Sequence, residues 1–121
     1  MLTKILCAIV AGGTILLAFT TTEEQRGRDL FARRCSGCHA MDANREGPRL
    51  RGVYGRKAAS IADFDYSAGL RKADIHWNDA TLDRWLTEPG VMVPDTNMEF
   101  QVSDAAERKA LIAYLKSLGN P

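Results

Sequence analysis

Two cysteines and a histidine lie within five consecutive positions of this chain, Cys35-Ser36-Gly37-Cys38-His39. The whole chain of 121 residues has three cysteines and two histidines, so this cluster strongly limits what the chain can fold into. Three kinds of site use such residues: a zinc centre, a redox disulfide and a covalently attached haem. Each of them requires different partners elsewhere in the sequence.

The surrounding residues favour haem attachment. Zinc requires four ligands, and apart from this cluster only His76, Cys7 and scattered carboxylates are available. A thioredoxin-like disulfide follows a strand, whereas an amphipathic helix is predicted just before this cluster. Haem attachment requires two thiols that reach both vinyl groups on one porphyrin edge, followed directly by an imidazole for the iron. The sequence therefore predicts one covalent haem c, held by Cys35 and Cys38, with His39 as an axial ligand.

Residues 1–22 are predicted to be an export signal peptide or an uncleaved N-terminal membrane anchor, followed by one domain over residues 23–121. Lys4 is the single charge before an apolar run over residues 5–19. This run is short for a membrane-spanning helix, which needs about 20 residues, but the uncharged stretch continues to Thr22 and leaves the anchor open. A lipoprotein signal at Cys7 is disfavoured because no small residues precede it. Each outcome predicts a periplasmic location.

The charge balance argues against a nucleic-acid-binding protein. The chain has 16 Lys and Arg, of which Lys4 lies in the predicted leader, and 15 Asp and Glu. The domain itself is therefore formally neutral, whereas nucleic-acid-binding domains carry a clustered basic excess. About 100 residues suffice for one domain, although such a small core benefits from a cofactor.

Three helices are predicted from caps and apolar spacing. The first begins at a capping box over residues 22–25, and the second is capped by Asn78 or Asp79 and closed by Pro89-Gly90. The third is expected to open at Ser103 and to end at Gly119. Residues 41–77 show no alternation that would indicate a sheet. A stretch this long without regular structure is explained if it wraps a large buried ligand.

The occupant of the second axial position decides the function of such a haem. Spacing favours Met98, which lies about 60 residues after His39 in a loop between the second and third helices. Met92 and His76 remain alternatives at this point, because a lone methionine is more often a core residue than a ligand. Met41 follows His39 too closely to reach the opposite face of the ring.

Several motifs flank the cysteine cluster at characteristic intervals. Gly27 and Phe31 precede it, Gly47-Pro48 follows it, and Trp77 lies eleven residues after Tyr66 and 21 before Met98. The further segments are Gly52-x-x-Gly55-Arg56-Lys57, Phe64-x-Tyr66 and Pro94-x-Thr96-x-Met98-x-Phe100. Together these residues resemble the class I c-type cytochromes, of the mitochondrial type and its bacterial relatives.

The resemblance implies an all-α, single-domain fold whose helices wrap one covalent haem. It implies that His39 and Met98 are the axial ligands, and that the Pro48 carbonyl accepts the Nδ1–H of His39 and so orients its ring. Arg56, Tyr66 and Trp77 correspond to residues on the propionate side. The complete predicted cofactor-binding set is Cys35, Cys38, Pro48, Arg56, Tyr66, Trp77, Trp85, Thr96 and Phe100.

The chain also departs from the mitochondrial pattern. Leu70 stands at a position that usually holds an Asn, and Trp85 replaces a Tyr near the axial methionine. Gly90, Asn97 and Asp104 stand where the mitochondrial proteins have docking lysines, so weaker electrostatic steering is expected. We interpret Arg34, next to the attachment site, as a remnant of that docking surface.

These features predict a monomeric one-electron carrier rather than an enzyme, because two axial ligands leave no open site on the iron. The expected partners are redox proteins, such as a quinol:cytochrome c reductase as donor and a terminal oxidase as acceptor. A small peroxidase would need an open sixth position and a distal acid–base group, for which only His76 is available. A ligand-exchange sensor would need a labile Met98 and an effector domain. A role as a subunit of a respiratory or photosynthetic complex would change the partner and leave the chemistry unchanged.

Overall fold

The structure is a computed structural model that describes residues 20–119. Its helices are α1 (Glu23–Arg34), α2 (Ala68–Lys72), α3 (Asp79–Thr87), α4 (Pro89–Met92) and α5 (Ala105–Ser117). This range contains no strand and one isolated antiparallel bridge, between Lys57 and His76. The all-α prediction is therefore confirmed. No helix within residues 20–119 has the length and apolar character to cross a membrane. Most of the predicted leader, residues 1–19, lies outside the described residues.

The helix starts follow from local side-chain hydrogen bonds. A capping box between Thr22 and Gln25 begins α1, as the sequence predicts, and Asn78 caps α3 by accepting the N–H of Thr81 at 3.0 Å. The prediction for α5 was wrong by one residue: the cap is Asp104 rather than Ser103, because the Asp104 carboxylate accepts the Glu107 N–H at 3.0 Å.

The crossing of α1 and α5 forms the centre of the domain. Gly27 lies against the backbone of Ala110, and a Cβ at residue 27 would stand 2.6 Å from the Ala110 carbonyl carbon and 2.8 Å from the Tyr114 Cβ. The Phe31 and Tyr114 rings pack beside this crossing with their centroids 5.7 Å apart. The absence of a side chain at residue 27 thus allows the two helices to meet closely. Their buried side chains include Leu30, Phe31, Leu111, Ile112 and Leu115.

A salt bridge ties α3 to the start of α5. The Arg108 side chain is largely buried, and its Nε donates to Asp83 at 2.7 Å. The same guanidinium donates through Nη1 to the carbonyls of Val102 and Ser103, each at 2.9 Å. These bonds fix the chain between α4 and α5 at its C-terminal end.

Residues 41–78 are held mainly by hydrogen bonds between loops. Backbone bonds join Gly55 N–H to the Trp77 carbonyl at 2.7 Å and Trp77 N–H to the Arg56 carbonyl at 3.0 Å. The short helix α2, capped by Ser67 at 3.2 Å from the Leu70 nitrogen, lies in this stretch and was not predicted. The segment is therefore irregular but ordered by specific bonds, and it encloses one side of a cavity.

Candidate functional site

The cysteine cluster forms a tight turn directly after α1. Cys35 caps the helix, with its N–H donating to the Phe31 carbonyl at 2.9 Å, and the His39 N–H donates back to the Cys35 carbonyl at 2.9 Å. Cys35, Cys38 and His39 line the same cavity of about 320 Å³. Burial raises the pKa of the Cys35 thiol to about 11, although the positive charge of Arg34 opposes this effect. The turn thus directs both sulfur-bearing residues and the imidazole to one site.

The imidazole of His39 is positioned by Gly47 and Pro48. Its Nδ1 lies 2.9 Å from the Pro48 carbonyl oxygen, and since a carbonyl can only accept, Nδ1 carries the proton. Gly47 lies against the ring, where a Cβ would stand 2.6 Å from Nδ1 and 2.7 Å from Nε2. Burial lowers the pKa of His39, which the Pro48 carbonyl partly counteracts. A neutral imidazole in this tautomer presents the lone pair of Nε2, the form in which histidine binds a metal.

Met98 lines this cavity from a different segment, the loop between α4 and α5. The Met98 N–H donates to Thr96 Oγ1 at 3.1 Å, and the Thr96 N–H donates to the Val93 carbonyl at 3.1 Å. Asp95 anchors the same loop to α2, because its carboxylate accepts the Gly69 N–H at 2.8 Å. The Thr96, Met98 and Phe100 side chains all line the cavity. Nothing in the sequence pairs residue 95 with residue 69, so this anchor was missed.

Arg56 and Tyr66 place polar groups in an otherwise apolar part of the lining. The Arg56 guanidinium donates to the carbonyls of Arg49 and Arg51 at 3.1 and 3.2 Å. Burial lowers the pKa of Arg56 and raises that of Tyr66, and their mutual interaction favours the charged arginine. The Tyr66 hydroxyl accepts the Ile61 N–H at 3.4 Å. These groups offer donors to an anionic part of a ligand.

The remaining lining is mostly apolar and aromatic. Trp77 and Trp85 pack edge to face with their ring centroids 5.4 Å apart, and both line the cavity. Leu70, which departs from the pattern of the resembled family, also lines it and adds an apolar surface there. The other aliphatic lining residues are Leu50, Val53, Leu82, Leu86, Leu111 and Leu115.

The structure brings every residue of the predicted cofactor and ligand set to this one cavity. The two alternative candidates for the second iron ligand, Met92 and His76, do not line the cavity. Met92 packs against the hydrophobic core, and the exposed His76 pairs through its backbone with Lys57. Two thiols, an oriented imidazole, a thioether from a separate loop and a mainly apolar enclosure fit a covalently attached haem. The glycine at residue 47 is also consistent with an iron-binding role of His39, because a side chain there would displace the imidazole.

The structure gives Arg34 two partners within the protein. Its guanidinium forms an ion pair with Glu107 on α5 and lies over the Phe100 ring, with 5.4 Å between the guanidinium carbon and the ring centroid. The charge of Arg34 is therefore compensated by Glu107 within the protein. The sequence did not indicate this pairing, because the two residues are 73 positions apart.

Comparisons with known proteins match this chain over most of the described residues. The family model described as "Cytochrome c" matches residues 24–119. The chain is 40% identical to "Cytochrome c2 iso-2" of Magnetospirillum fulvum over 87 residues, which cover 69% of this chain and 91% of that protein. It is 38% identical to "Cytochrome c" of Gibberella zeae over 96 residues, covering 76% and 91%. Among solved structures, cytochrome cH from Methylobacterium extorquens superimposes with a TM-score of 0.73 at 38% identity, covering 78% of this chain and 97% of that one.

Proposed function

This chain belongs to the cytochrome c family, and on that premise we propose that His39 and Met98 are the two axial ligands of its haem iron. Members of this family are electron-transfer proteins that bind haem c covalently, and the chain is a monohaem electron carrier rather than an enzyme. The haem supplies an iron that alternates between Fe(II) and Fe(III), which is a one-electron couple. The protein's own residues determine how this couple is held and shielded.

One observation carries the proposed ligand pair. His39 and Met98 belong to segments about 60 residues apart, yet they line the same cavity. The bond from Nδ1 of His39 to the Pro48 carbonyl leaves Nε2 free to bind a metal, and it increases the basicity of that nitrogen. Thr96 fixes the backbone of Met98 in the loop between α4 and α5. A ligand pair that stays the same in both oxidation states requires little atomic motion, which favours fast electron transfer.

The lining is suited to keeping the iron reduced. Leucine and tryptophan side chains around the site exclude water, and a low-dielectric environment disfavours the additional positive charge of the ferric state. A thioether is a soft ligand and acts in the same direction. We assign Cys35 and Cys38 to the thioether links and Arg56, Tyr66 and Trp77 to the propionate side. Trp85, Thr96 and Phe100 are assigned to the enclosure around Met98.

The ligand assignment is tested by optical spectroscopy of the haem-loaded protein. A weak far-red band of the ferric form reports a methionine sulfur bound to iron, and we expect it in the wild type and in the Met92→Leu control. Met98→Ala should abolish the band and leave the covalent haem in place. If the wild type lacked the band, or if Met98→Ala kept it, Met98 would not be a ligand.

For the cellular context we propose an exported protein. In this proposal residues 1–22 are an export signal or a retained anchor, and the domain over residues 23–121 lies in the periplasm. The donor is a quinol:cytochrome c reductase and the acceptor a terminal oxidase of a respiratory chain. The intact mass of the purified protein distinguishes cleavage from retention, and cell fractionation tests the location. Recovery of the haem-loaded protein in the cytoplasmic fraction would contradict export.

A further inference from the structure

The charged side chains that line the cavity differ in whether the protein neutralises them. Within residues 20–119, the cavity-lining Arg34 pairs with Glu107, and Asp65 pairs with Arg71 at 3.2 Å. Arg56 is half-buried and donates to backbone carbonyls. Arg34 and Asp65 are therefore neutralised by charged partners, whereas Arg56 keeps its positive charge within the lining.

Two exposed acids remain at this opening. Glu46 and Glu99 line the cavity, are exposed to solvent and form no salt bridge within the described part of the chain. The carboxylate of Glu46 lies 3.4 Å from the Cys38 sulfur, and that thiol proton is no longer available once the sulfur forms a thioether. Arg45 donates to the Ser36 carbonyl at 2.6 Å and does not line the cavity. Within the described residues, Glu46 and Glu99 are therefore the exposed cavity-lining side chains whose charge has no opposite partner, although the neighbouring Arg45 also keeps its positive charge.

The segment that carries Met98 has the same character. Residues 85–106 contain four acids, Glu88, Asp95, Glu99 and Asp104, and no lysine or arginine. This segment also contains both large hydrophobic side chains that are exposed within residues 20–119, Val91 at 71% and Phe100 at 42%. Phe100 lines the cavity beside Glu99. An exposed aromatic next to unpaired charges is typical of a protein-docking surface.

We propose that the face formed by Glu46, Glu99 and Phe100 is the docking surface for redox partners that present lysine or arginine around a non-polar centre. This proposal rests on the electron-carrier function and specifies its partner. Complementary charge accelerates encounter and orients it, while Phe100 supplies the apolar contact. The sign of the steering charge is thus opposite to that of a lysine-ringed carrier, rather than only weaker.

Small redox reagents of known charge test the sign directly. Stopped-flow rates of the haem-loaded protein are measured against ionic strength with hexaammineruthenium, a cation, and with hexacyanoferrate, an anion. The ruthenium rate should fall as salt is added and the hexacyanoferrate rate should rise. Replacing both acids, in Glu46→Gln/Glu99→Gln, should lower the ruthenium rate on the order of tenfold at low ionic strength. Glu24→Gln, an exposed substitution that does not line the cavity, should change neither slope.

A second measurement does not depend on electron transfer or on any variant. Hexaamminechromium(III) is paramagnetic and redox-inert, so it broadens the NMR signals of residues near its binding site. Broadening should centre on the amides of Glu46, Glu99 and Phe100, while hexacyanochromate(III) should leave them sharp. Preference for the anionic reagents, or a double variant with wild-type slopes, would overturn the docking proposal and leave the carrier function standing. Failure to exchange electrons with either reagent would instead contradict the carrier function.

Discussion

Replacing Gly27 by alanine tests whether the close crossing of α1 and α5 determines the stability of this domain. Helix propensity alone predicts a gain, because alanine in a helix interior is favoured over glycine by about 1 kcal/mol. The structure predicts the opposite result. The added Cβ would stand 2.6 Å from the carbonyl carbon of Ala110, whereas carbon atoms in contact are normally about 3.5–4.0 Å apart. The helices must therefore separate by about 1 Å.

This separation loosens the packing of the buried side chains between the two helices. Overpacking of a close-packed site lowers the free energy of unfolding by about 1–3 kcal/mol. The new Cβ meets backbone atoms of Ala110, which cannot rotate away as a side chain can, so a cost at the upper end of this range is expected. After the propensity gain of about 1 kcal/mol, a net loss of about 2 kcal/mol is expected. For a domain of this size, that loss lowers the melting temperature by about 10 °C.

The assay is urea unfolding of the haem-loaded protein, followed by circular dichroism. Gly90→Ala is the matched control, because a Cβ at residue 90 meets no atom within 4 Å. That control is expected to be neutral or stabilising by about 0.5 kcal/mol. If Gly27→Ala unfolded at or above the wild-type urea midpoint while Gly90→Ala behaved as expected, the steric reasoning would be refuted.

Three further variants probe other parts of the molecule. Gly47→Ala places a Cβ 2.6 Å from Nδ1 of His39, so the imidazole must tilt, and a high-spin contribution should appear in the optical spectrum of the loaded protein. Asp95→Asn weakens the anchor to Gly69, so the far-red ferric band should be lost at a lower urea concentration than in the wild type, with a smaller change in global unfolding. The hydrogen bond from the Glu107 N–H holds the pKa of Asp104 below its usual value. The stability that this cap contributes is therefore fully present above the unfolded pKa of about 3.9, and it is lost as the pH falls through the lowered folded pKa. Asp104→Ala should therefore lower the urea midpoint at pH 7, and the difference from the wild type should shrink below about pH 4. Equal midpoints of the two proteins at pH 7 would contradict this prediction.

Features that depend on neighbouring residues were predictable from the sequence. The capping boxes depend on residues three positions apart, and the attachment turn depends on five consecutive positions. The choice of Met98 over Met92 and His76 rests on the resemblance, since spacing alone left all three open. The start of α5 was misplaced by one residue because Ser103 and Asp104 are both good caps, and only the folded backbone selects between them.

Features that join distant segments were not predictable in this way. The pairing of Arg34 with Glu107 and the bond from Asp95 to Gly69 connect residues 73 and 26 positions apart. Neither has a local pattern in one sequence, because each depends on how the helices cross and where the loops return. The partner of Arg34 was therefore not foreseen, while Glu46 and Glu99 became informative only when they were placed on the cavity.

The contact between α1 and α5 joins the two ends of the described domain, residues 23–34 and residues 105–117. A chain leaves the ribosome with its N-terminus first, so α1 emerges long before the helix that it packs against. The turn from Cys35 to His39 follows α1 directly, and it emerges early as well. During that interval Leu111 and Leu115 are not yet present to line the cavity. Until α5 is present, the cavity around Cys35 and Cys38 therefore lacks one of its walls.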